Sequence, residues 1–321
     1  MKEAIGGYFS LELPRREEYH KGALRLNTGR NSLEYILRSR KITKVYLPYY
    51  SCDVLLEPFS RAAVEYSFYH IDSKFEIAED LEPSATQAIL YINYFGLKED
   101  YVASLAERFG ERLIIDNTQA FFSKPLSGVD TFYSCRKFFG VPDGAYLYCE
   151  GAANVELGQD SSLSRMEFLL KRIDQSPEEG YASFRRESDS LGNIGILRMS
   201  RLTQRIMESI DYAEAAQARQ KNFQFLDKSL SGINAFDMGF DDRAVPMVYP
   251  LLCGCTGLRE YLISKRIFVP TYWPGLVGVH ELNECEYAFV NCLLPLPVDQ
   301  RYGEEEMKAV VKTVLEKVDC N

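Results

Sequence analysis

The sequence predicts an α/β fold in which a mostly parallel central sheet is covered by helices on both faces, with a smaller C-terminal α+β domain. Short apolar runs alternate with segments of helical periodicity as far as Glu150, an order typical of parallel sheets. Residues 88–96 form an almost continuous apolar run that ends at a glycine, as expected of a strand buried on both faces. After Glu150 the chain becomes more polar and then enters a long helical pattern, which predicts a second domain.

The first half of the chain supplies the elements of the large domain, which we assign to residues 1–202. Apolar positions at helical spacing predict helices over residues 31–40 and 99–109. Runs of β-branched and aromatic residues predict strands. These runs fall at residues 45–48, 64–69, 88–96, 113–116 and 131–133, with another apolar run after Gly144.

The second half is less regular, and we assign residues 203–321 to a small domain. Before it, residues 151–195 contain polar stretches with Gly and Ser around a helical segment near 164–173. The small domain is expected to begin with a long linking helix from about Thr203 to Leu230. Strand-like runs at 245–250 and 267–270 and a last helix at 304–318 follow.

Composition argues against membrane and nucleic-acid partners. Of the 321 residues, 46% are hydrophobic and 26% are charged, as in ordinary soluble proteins. No run of about 18 apolar residues could span a bilayer, and the first residues lack the apolar core of a signal peptide, so a cytoplasmic location is expected. The net charge is −9, and the densest basic stretch, residues 38–44, ends a predicted helix, where cations favour the helix dipole.

A metal site is not expected either. The eight cysteines are scattered, with one close pair at Cys253 and Cys255, and the three histidines are far apart in sequence. Neither spacing matches a zinc site. Most of the cysteines are expected to be small buried apolar residues in a reducing compartment.

Lys137 and Asp116 carry the functional prediction. Lys137 lies between the strand-like run 131–133 and a Gly-Val-Pro-Asp-Gly turn, and a lysine buried there is costly unless it is paired, neutral or covalently used. Asp116 ends the apolar run 113–115, and ligands bind at the carboxyl ends of strands in open α/β sheets. Taken alone, Lys137 can be a solvated lysine and Asp116 a helix cap. Together they favour a lysine that forms a Schiff base with pyridoxal phosphate, with an aspartate pairing the pyridinium nitrogen.

A glycine-containing turn, residues 28–31, precedes the first predicted helix. Backbone N–H groups and the positive end of a helix dipole suit a phosphate at such a turn. The same residues fit a plain helix N-cap, and the sequence alone leaves both interpretations open.

Several segments also follow one another in the order of a known family: residues 29–33, 47–52, 93–96, 116–120, 134–144, 198–200, 219–222 and 296–299. With them, the chain resembles the DegT/DnrJ/EryC1/StrS sugar aminotransferases over nearly its whole length. The resemblance implies fold type I, the aspartate-aminotransferase fold: a three-layer sandwich around a mostly parallel sheet, with a smaller C-terminal domain. It also implies pyridoxal 5'-phosphate as the cofactor, and a homodimer whose active sites lie at the subunit interface.

The resemblance implies a role for each matching residue. Lys137 would form the Schiff base and then, once released by an amino donor, move the donor's Cα proton to the cofactor. Asp116 would keep the pyridine nitrogen protonated, so that the ring can take up electrons. The other cofactor-binding residues implied are Gly29, Arg30 and Ser134 at the phosphate, Gln119 near the ring's 3′ oxygen and Cys52 beside the ring.

The chain departs from the family's pattern in the same region. Ser134 and Lys137 are only three residues apart, Cys52 stands where an aromatic residue often stacks on the ring, and the 150–195 region is short. These departures affect the substrate pocket more than the fold or the Schiff base.

Position 196 is a further departure. Ile196 stands where the family has an asparagine that reaches the phosphate of the neighbouring subunit. Arg30 or Arg198 could compensate for its loss, because a guanidinium suits the geometry of a phosphate.

The resemblance implies transfer of an amino group from glutamate to a keto sugar, which is expected to be linked to a nucleotide. One alternative is a pyridoxal phosphate-dependent sugar dehydratase, but that group commonly has histidine in place of the catalytic lysine, and Lys137 is present. Another is a regulatory or binding protein that keeps the fold without turnover, which Ile196 favours. A cofactor-free, Rossmann-like binding domain is the remaining alternative.

Overall fold

The computed structural model describes residues 5–149, 156–236, 241 and 243–319. Within them the strands are β1 (Leu24–Leu26), β2 (Lys44–Pro48), β3 (Glu65–Tyr69), β4 (Gln87–Ile92), β5 (Leu113–Asp116), β6 (Asp130–Ser134), β7 (Ala145–Tyr148), β8 (Val248–Leu252) and β9 (Leu293–Pro297). The helices are α1 (Gly29–Ser39), α2 (Leu56–Ala62), α3 (Glu99–Phe109), α4 (Glu167–Asp174), α5 (Pro177–Ser190), α6 (Arg201–Met207), α7 (Tyr212–Leu230), α8 (Leu258–Ser264), α9 (Glu284–Cys292) and α10 (Glu304–Val318).

Among the described residues, seven strands form one sheet in the order β1-β7-β6-β5-β4-β2-β3. The pairs from β6 to β3 are parallel, whereas β7 runs antiparallel to both of its neighbours. Helices flank the sheet, so the predicted α/β fold with a mostly parallel central sheet is confirmed. Because β4, β5 and β6 are parallel, their carboxyl ends meet at one edge of the sheet.

The middle of this sheet is the main core of the protein. All four residues of β5 are buried, and Ile89, Leu90 and Leu113 are fully buried, which accounts for the continuous apolar runs in the sequence. Leu33 and Ile36 of α1 are also fully buried, and α1 packs against β6 and β7. Each such aliphatic side chain contributes about 1.5–3 kcal/mol by leaving water.

A second, two-stranded sheet is formed by β8 and β9, which pair antiparallel. Its own core includes Leu226 of α7, Leu251, Leu296 and Met307 of α10. The predicted strand at 267–270 is wrong. Arg266 has a positive φ of 62°, and Ile267 donates its N–H to Leu262 O at 2.9 Å. This segment therefore closes the end of α8 instead of joining the sheet.

The single helix predicted from Thr203 to Leu230 is also wrong, because the chain breaks between α6 and α7. The Asp211 carboxylate accepts a hydrogen bond from Glu214 N at 3.0 Å, and so caps the start of α7. Asp is one of the preferred N-cap residues, and here this local chemistry outweighs the continuous helical periodicity. The division of the chain near residue 202 stays a prediction.

The 151–195 region is more regular than its composition indicates. The predicted helical segment near 164–173 is confirmed as α4, and a second helix, α5, follows it. Ser176 caps α5 and Pro177 occupies its first turn, a start signal that the polar composition obscured. Residues 150–155 of the region lie outside the described residues.

Two structural observations bear on membranes and metals. In the described part of the chain, no helix combines the length and the apolar character needed to cross a bilayer. The same residues contain no group of three or more His, Cys, Asp and Glu side chains arranged to hold a metal ion.

Candidate active site

Asp116 stands at the carboxyl end of β5, in the middle of the large sheet. It pairs with Ile92 of β4 on one side and with Phe132 of β6 on the other. The side chain is buried, and Oδ1 accepts a hydrogen bond from Thr118 N at 2.8 Å. Burial raises the pKa of the Asp116 carboxyl, while the nearby Lys137 ammonium and the Thr118 hydrogen bonds oppose this shift. The carboxylate is thus held rigidly at the edge where a ligand would bind.

Lys137 lies in the connection between β6 and β7, at the same edge. Its Nζ donates a hydrogen bond to Thr118 Oγ1 at 3.3 Å. Thr118 therefore contacts both predicted catalytic groups, one through its backbone and the other through its hydroxyl. The structure brings Lys137 and Asp116 together, as the sequence predicted.

The surroundings of Lys137 differ from the sequence-based expectation of a buried lysine, because its side chain is exposed. The connection is anchored around it: Cys135 N donates to Gly144 O at 3.0 Å, and Phe138 N donates to Cys135 O at 3.1 Å. Cys135 and Phe138 are buried, so the loop is fixed and presents the Lys137 amine at the opening of the site.

The first turn of α1 approaches this site closely. Thr28 caps the helix, and its hydroxyl accepts a hydrogen bond from Asn31 N at 3.2 Å. A Cβ atom at Gly29 would lie 3.2 Å from Thr118 Cγ2, so a larger residue here would crowd the turn after Asp116. The N-cap interpretation is confirmed, and the positive end of the helix also lies beside the predicted cofactor site.

Arg30 follows Gly29, but its guanidinium is already paired. Nη1 donates to both carboxylate oxygens of Glu57 in α2, at 2.6 and 2.7 Å. Its side chain is largely buried, with 14% exposed. The ion pair neutralises much of the charge that the sequence analysis assigned to a phosphate, and the role of Arg30 stays a prediction.

Gln119 and Cys52 border the site in different ways. Gln119 is buried, and its Oε1 accepts a hydrogen bond from Phe95 N at 2.9 Å. This bond supports Phe95 at a positive φ of 58° and leaves the amide nitrogen as the group for a ring oxygen. Cys52 is half-buried; burial raises the pKa of its thiol, and the nearby Lys137 charge opposes the shift, which puts Cys52 close to the lysine.

Ser134 is the last residue of β6 and pairs with Ala145. It is half-buried. Within the described residues its hydroxyl makes no hydrogen bond, so it is available to a ligand. Its backbone lies at the same sheet edge as Asp116, which agrees with the predicted grouping of these residues.

The remaining two positions that the sequence singled out lie close to α1. Ile196 is half-buried and packs against the main core. Arg198 is exposed, and its charge is felt by Tyr35. Tyr35 is six residues beyond Gly29, which corresponds to about 9 Å along a helix axis, so Arg198 lies toward the middle of α1 and not at its amino end.

Sequence reasoning missed two residues that shape the site. Thr118 lies inside the Asp-Asn-Thr-Gln segment, and its hydroxyl could have been recognised as a lysine partner. Arg136 directly precedes Lys137, and its Nη2 donates to Ser188 Oγ of α5 at 2.8 Å. This contact crosses from the β6–β7 connection to a helix that the sequence did not predict, and so left no signal.

The loop after Lys137 is fixed from the C-terminal half of the chain. Arg219 of α7, fully buried, donates to Phe138 O at 3.3 Å, and its guanidinium lies 4.4 Å from the centre of the Phe138 ring. Asp143 at the far end of the loop accepts hydrogen bonds from Ser200 N at 2.9 Å and Ser200 Oγ at 2.8 Å. Both contacts limit the movement of Lys137.

A separate cleft of about 610 Å³ lies at the amino ends of β2, β3 and β4. Its lining includes Arg38, Lys41, Lys44, Glu65 and Gln87. It is at the edge of the sheet opposite to Asp116, and none of the residues predicted to bind the cofactor lines it.

Comparisons with known proteins give a fold match. No protein-family model and no curated protein matches the sequence. A DegT DnrJ EryC1 StrS aminotransferase from Brucella abortus is 14% identical, with a TM-score of 0.61, and the match covers 92% of this chain and 85% of that one. The sugar aminotransferase CalS13 from Micromonospora echinospora is also 14% identical, with a TM-score of 0.63 and coverage of 91% and 86%.

A third similar structure is NtdA from Bacillus subtilis, solved with bound cofactor PMP. It is 13% identical, with a TM-score of 0.63, and the match covers 92% of this chain and 73% of that one. Together with the strand order, these matches establish that the chain has the fold of the type I pyridoxal phosphate aminotransferases.

Proposed function

We propose that this protein is a pyridoxal phosphate-dependent aminotransferase that moves an amino group from glutamate to a keto sugar linked to a nucleotide. The observation that carries the proposal is the Asp116–Thr118–Lys137 arrangement at the carboxyl ends of β5 and β6. It combines a rigid buried acid with an accessible amine, next to the positive end of a helix. Similar solved structures described as sugar aminotransferases support the choice of reaction and acceptor.

The residues present fit pyridoxal phosphate. Asp116 makes no ion pair with a described residue, and a buried carboxylate without one suits a protonated ring nitrogen. Gly29 leaves room beside Thr118 that a side chain would fill. In this proposal, Gly29, Arg30 and Ser134 hold the phosphate, Gln119 donates to the ring oxygen, and Cys52 lies beside the ring.

When bound, pyridoxal phosphate supplies a carbonyl carbon that accepts the amino group and a ring that accepts electrons from Cα of the donor. The Lys137 amine holds the resting cofactor and, once free, takes the proton from Cα of the amino donor. Thr118 Oγ1 orients Nζ for this transfer. Asp116 holds a proton on the ring nitrogen, and the anchored loop around Cys135 and Phe138 keeps the amine in place.

A cytoplasmic homodimer is part of the proposal. Ile5, Tyr8 and Phe9 are almost completely exposed, at 103%, 98% and 92%, which is unfavourable for an apolar segment in water. Leu170 and Ile173 of α4 form a second exposed apolar surface at 54% and 80%. A second copy of the chain that covers these side chains would also help to enclose the site.

One alternative function has an observation in its favour. Ile196 offers no hydrogen bond at the position where the family has an asparagine, which would suit a regulatory or binding protein that holds a ligand without turnover. A sugar dehydratase is less well supported, because Lys137 is present and lies within hydrogen-bond distance of Thr118.

The test is an absorption spectrum of the purified protein with added pyridoxal phosphate, followed by addition of glutamate. A visible band that borohydride removes, and that glutamate converts to the band of the aminated cofactor, supports the aminotransferase. A band that glutamate and other amino acids leave unchanged supports the binding protein. Absence of the band contradicts the whole proposal. Keto sugars, with and without a nucleotide, would then be compared as acceptors.

A further inference from the structure

Arg136 is a cation that the proposed mechanism does not use. It precedes Lys137 and is held away from solvent by α5: Nη2 donates to Ser188 Oγ at 2.8 Å, and the guanidinium lies 5.8 Å from the centre of the Phe184 ring. Within the described residues it makes no ion pair. A guanidinium has five N–H donors, and a single serine hydroxyl accepts only one of the bonds they can form.

The charges around Arg136 are unfavourable as they stand. Burial first, and the nearby Arg30 guanidinium second, lower the pKa of Arg136 to about 10. Asp143 and Glu187 act in the opposite direction but more weakly. The charge of Arg30 is balanced by Glu57, whereas no carboxylate pairs with Arg136. A buried cation without a partner is costly, and an anion between the two arginines would remove that cost.

Arg30 and Arg136 share one covering element. The residue at position 192, just after α5, is Gly192, and a Cβ atom there would lie 3.2 Å from Arg30 Nη1. Ser188 in the last turn of α5 contacts Arg136. The end of α5 therefore covers both guanidinium groups, at the side of the site where α1 begins and where Ser134 ends β6.

We infer that Arg136, together with Arg30 of the same subunit, binds a phosphate dianion at the amino end of α1. The inference rests on the proposed function, in which that phosphate belongs to the cofactor. It assigns to Arg136 the compensation for Ile196 that the sequence analysis assigned to Arg30 or Arg198. The planar guanidinium can donate two parallel hydrogen bonds to phosphate oxygens, and Ser188 fixes its orientation.

The test compares pyridoxal phosphate with pyridoxal, which lacks the phosphate. Dissociation constants are measured by absorption for the wild type, Arg136→Met and Arg136→Lys. Loss of charge-assisted hydrogen bonds should weaken binding of pyridoxal phosphate by Arg136→Met about tenfold to a hundredfold, with a smaller loss for Arg136→Lys. Binding of pyridoxal should change little. Equal losses for both ligands, or none, would overturn the inference.

Arg185→Met is the matched control, because Arg185 is an exposed arginine on the same helix, α5; it should bind both ligands as the wild type does. Circular dichroism shows whether each variant folds, and if Arg136→Met does not, Ser188→Ala replaces it and should weaken pyridoxal phosphate selectively. Inorganic phosphate separates this inference from the proposed function. If the wild type binds no pyridoxal phosphate but phosphate raises its melting temperature more than that of Arg136→Lys, the anion site stands without the cofactor. If phosphate has the same effect on both, the inference fails too.

Discussion

The Lys137 amine lies 3.3 Å from the hydroxyl oxygen of Thr118. Thr118 also donates its backbone N–H to Asp116, so one residue connects the proposed base with the proposed partner of the ring nitrogen. The two contacts use different atoms of Thr118, and they can therefore be removed separately. The predictions below begin from this arrangement.

Lys137→Ala should abolish the borohydride-reducible chromophore while leaving the fold intact, because the side chain is exposed and supports no core contact. Peptide mapping of the reduced wild type should find the pyridoxyl group on Lys137. Lys124→Ala, at another exposed lysine, should keep the chromophore. A label on a different lysine would refute the assignment.

Asp116→Asn should retain bound cofactor but lose most of its turnover, by roughly a hundredfold or more. A neutral amide cannot hold a proton on the ring nitrogen, whereas the shape of the pocket is preserved. The measurement is the rate of the half-reaction with glutamate, alongside a cofactor titration. Asp100→Asn, at an exposed position on α3, is the control. A near-normal rate for Asp116→Asn would show that the ring nitrogen is not held by this carboxylate.

Thr118→Val should slow the half-reaction and shift its pH profile, because Lys137 loses its hydroxyl partner while the backbone bond to Asp116 remains. The cost in stability should be about 0.5–1.5 kcal/mol, the net value of one hydrogen bond. Thr118→Ser keeps the hydroxyl and should retain most of the rate. If both variants behave alike, the hydroxyl has no part in positioning the amine.

The protein should sediment as a dimer, and Phe9→Ser and Ile173→Ser should each weaken the dimer by removing apolar surface from a proposed contact. Sedimentation over a range of concentrations measures this effect. A monomer that binds the cofactor tightly would contradict the proposal that a second copy completes the site.

Arg30→Ala should lower the affinity for pyridoxal phosphate, whereas Arg198→Ala should not. Arg30 begins α1, while Arg198 is exposed and lies toward the middle of that helix. Removal of Arg30 also leaves Glu57 without its closest cation, so Arg30→Lys serves as the charge-preserving control. Unchanged affinity in both alanine variants would remove arginine compensation at these two positions.

The sequence was sufficient to predict the sheet and the position of its ligand-binding edge. β5 and β6 are short, buried and apolar, so their ends at Asp116 and Ser134 could be located from local pattern alone. Helix boundaries were less predictable where polar side chains decide them. The Asp211 cap breaks a continuous periodicity, and the Ser176 cap starts a helix in a stretch that reads as a loop.

Long-range polar contacts could not be predicted. Arg30 meets Glu57 across α1 and α2, and Arg136 meets Ser188 across the β6–β7 connection and α5. These pairings depend on the relative placement of elements and not on periodicity or composition. For the same reason the sequence analysis assigned the phosphate to Arg30 and did not consider Arg136.

The antiparallel pairing of β6 with β7 has a consequence for how the site can evolve. Since Ser134 pairs directly with Ala145, the residues between them form a hairpin loop, and the register of the sheet does not depend on their number. The loop is fastened at its ends, by Cys135 to Gly144 and by Asp143 to Ser200. Insertions or deletions in its middle would thus move the lysine toward or away from the helix opening while the sheet stays unchanged. The short spacing between Ser134 and Lys137 is a length variation of the kind that such a hairpin tolerates.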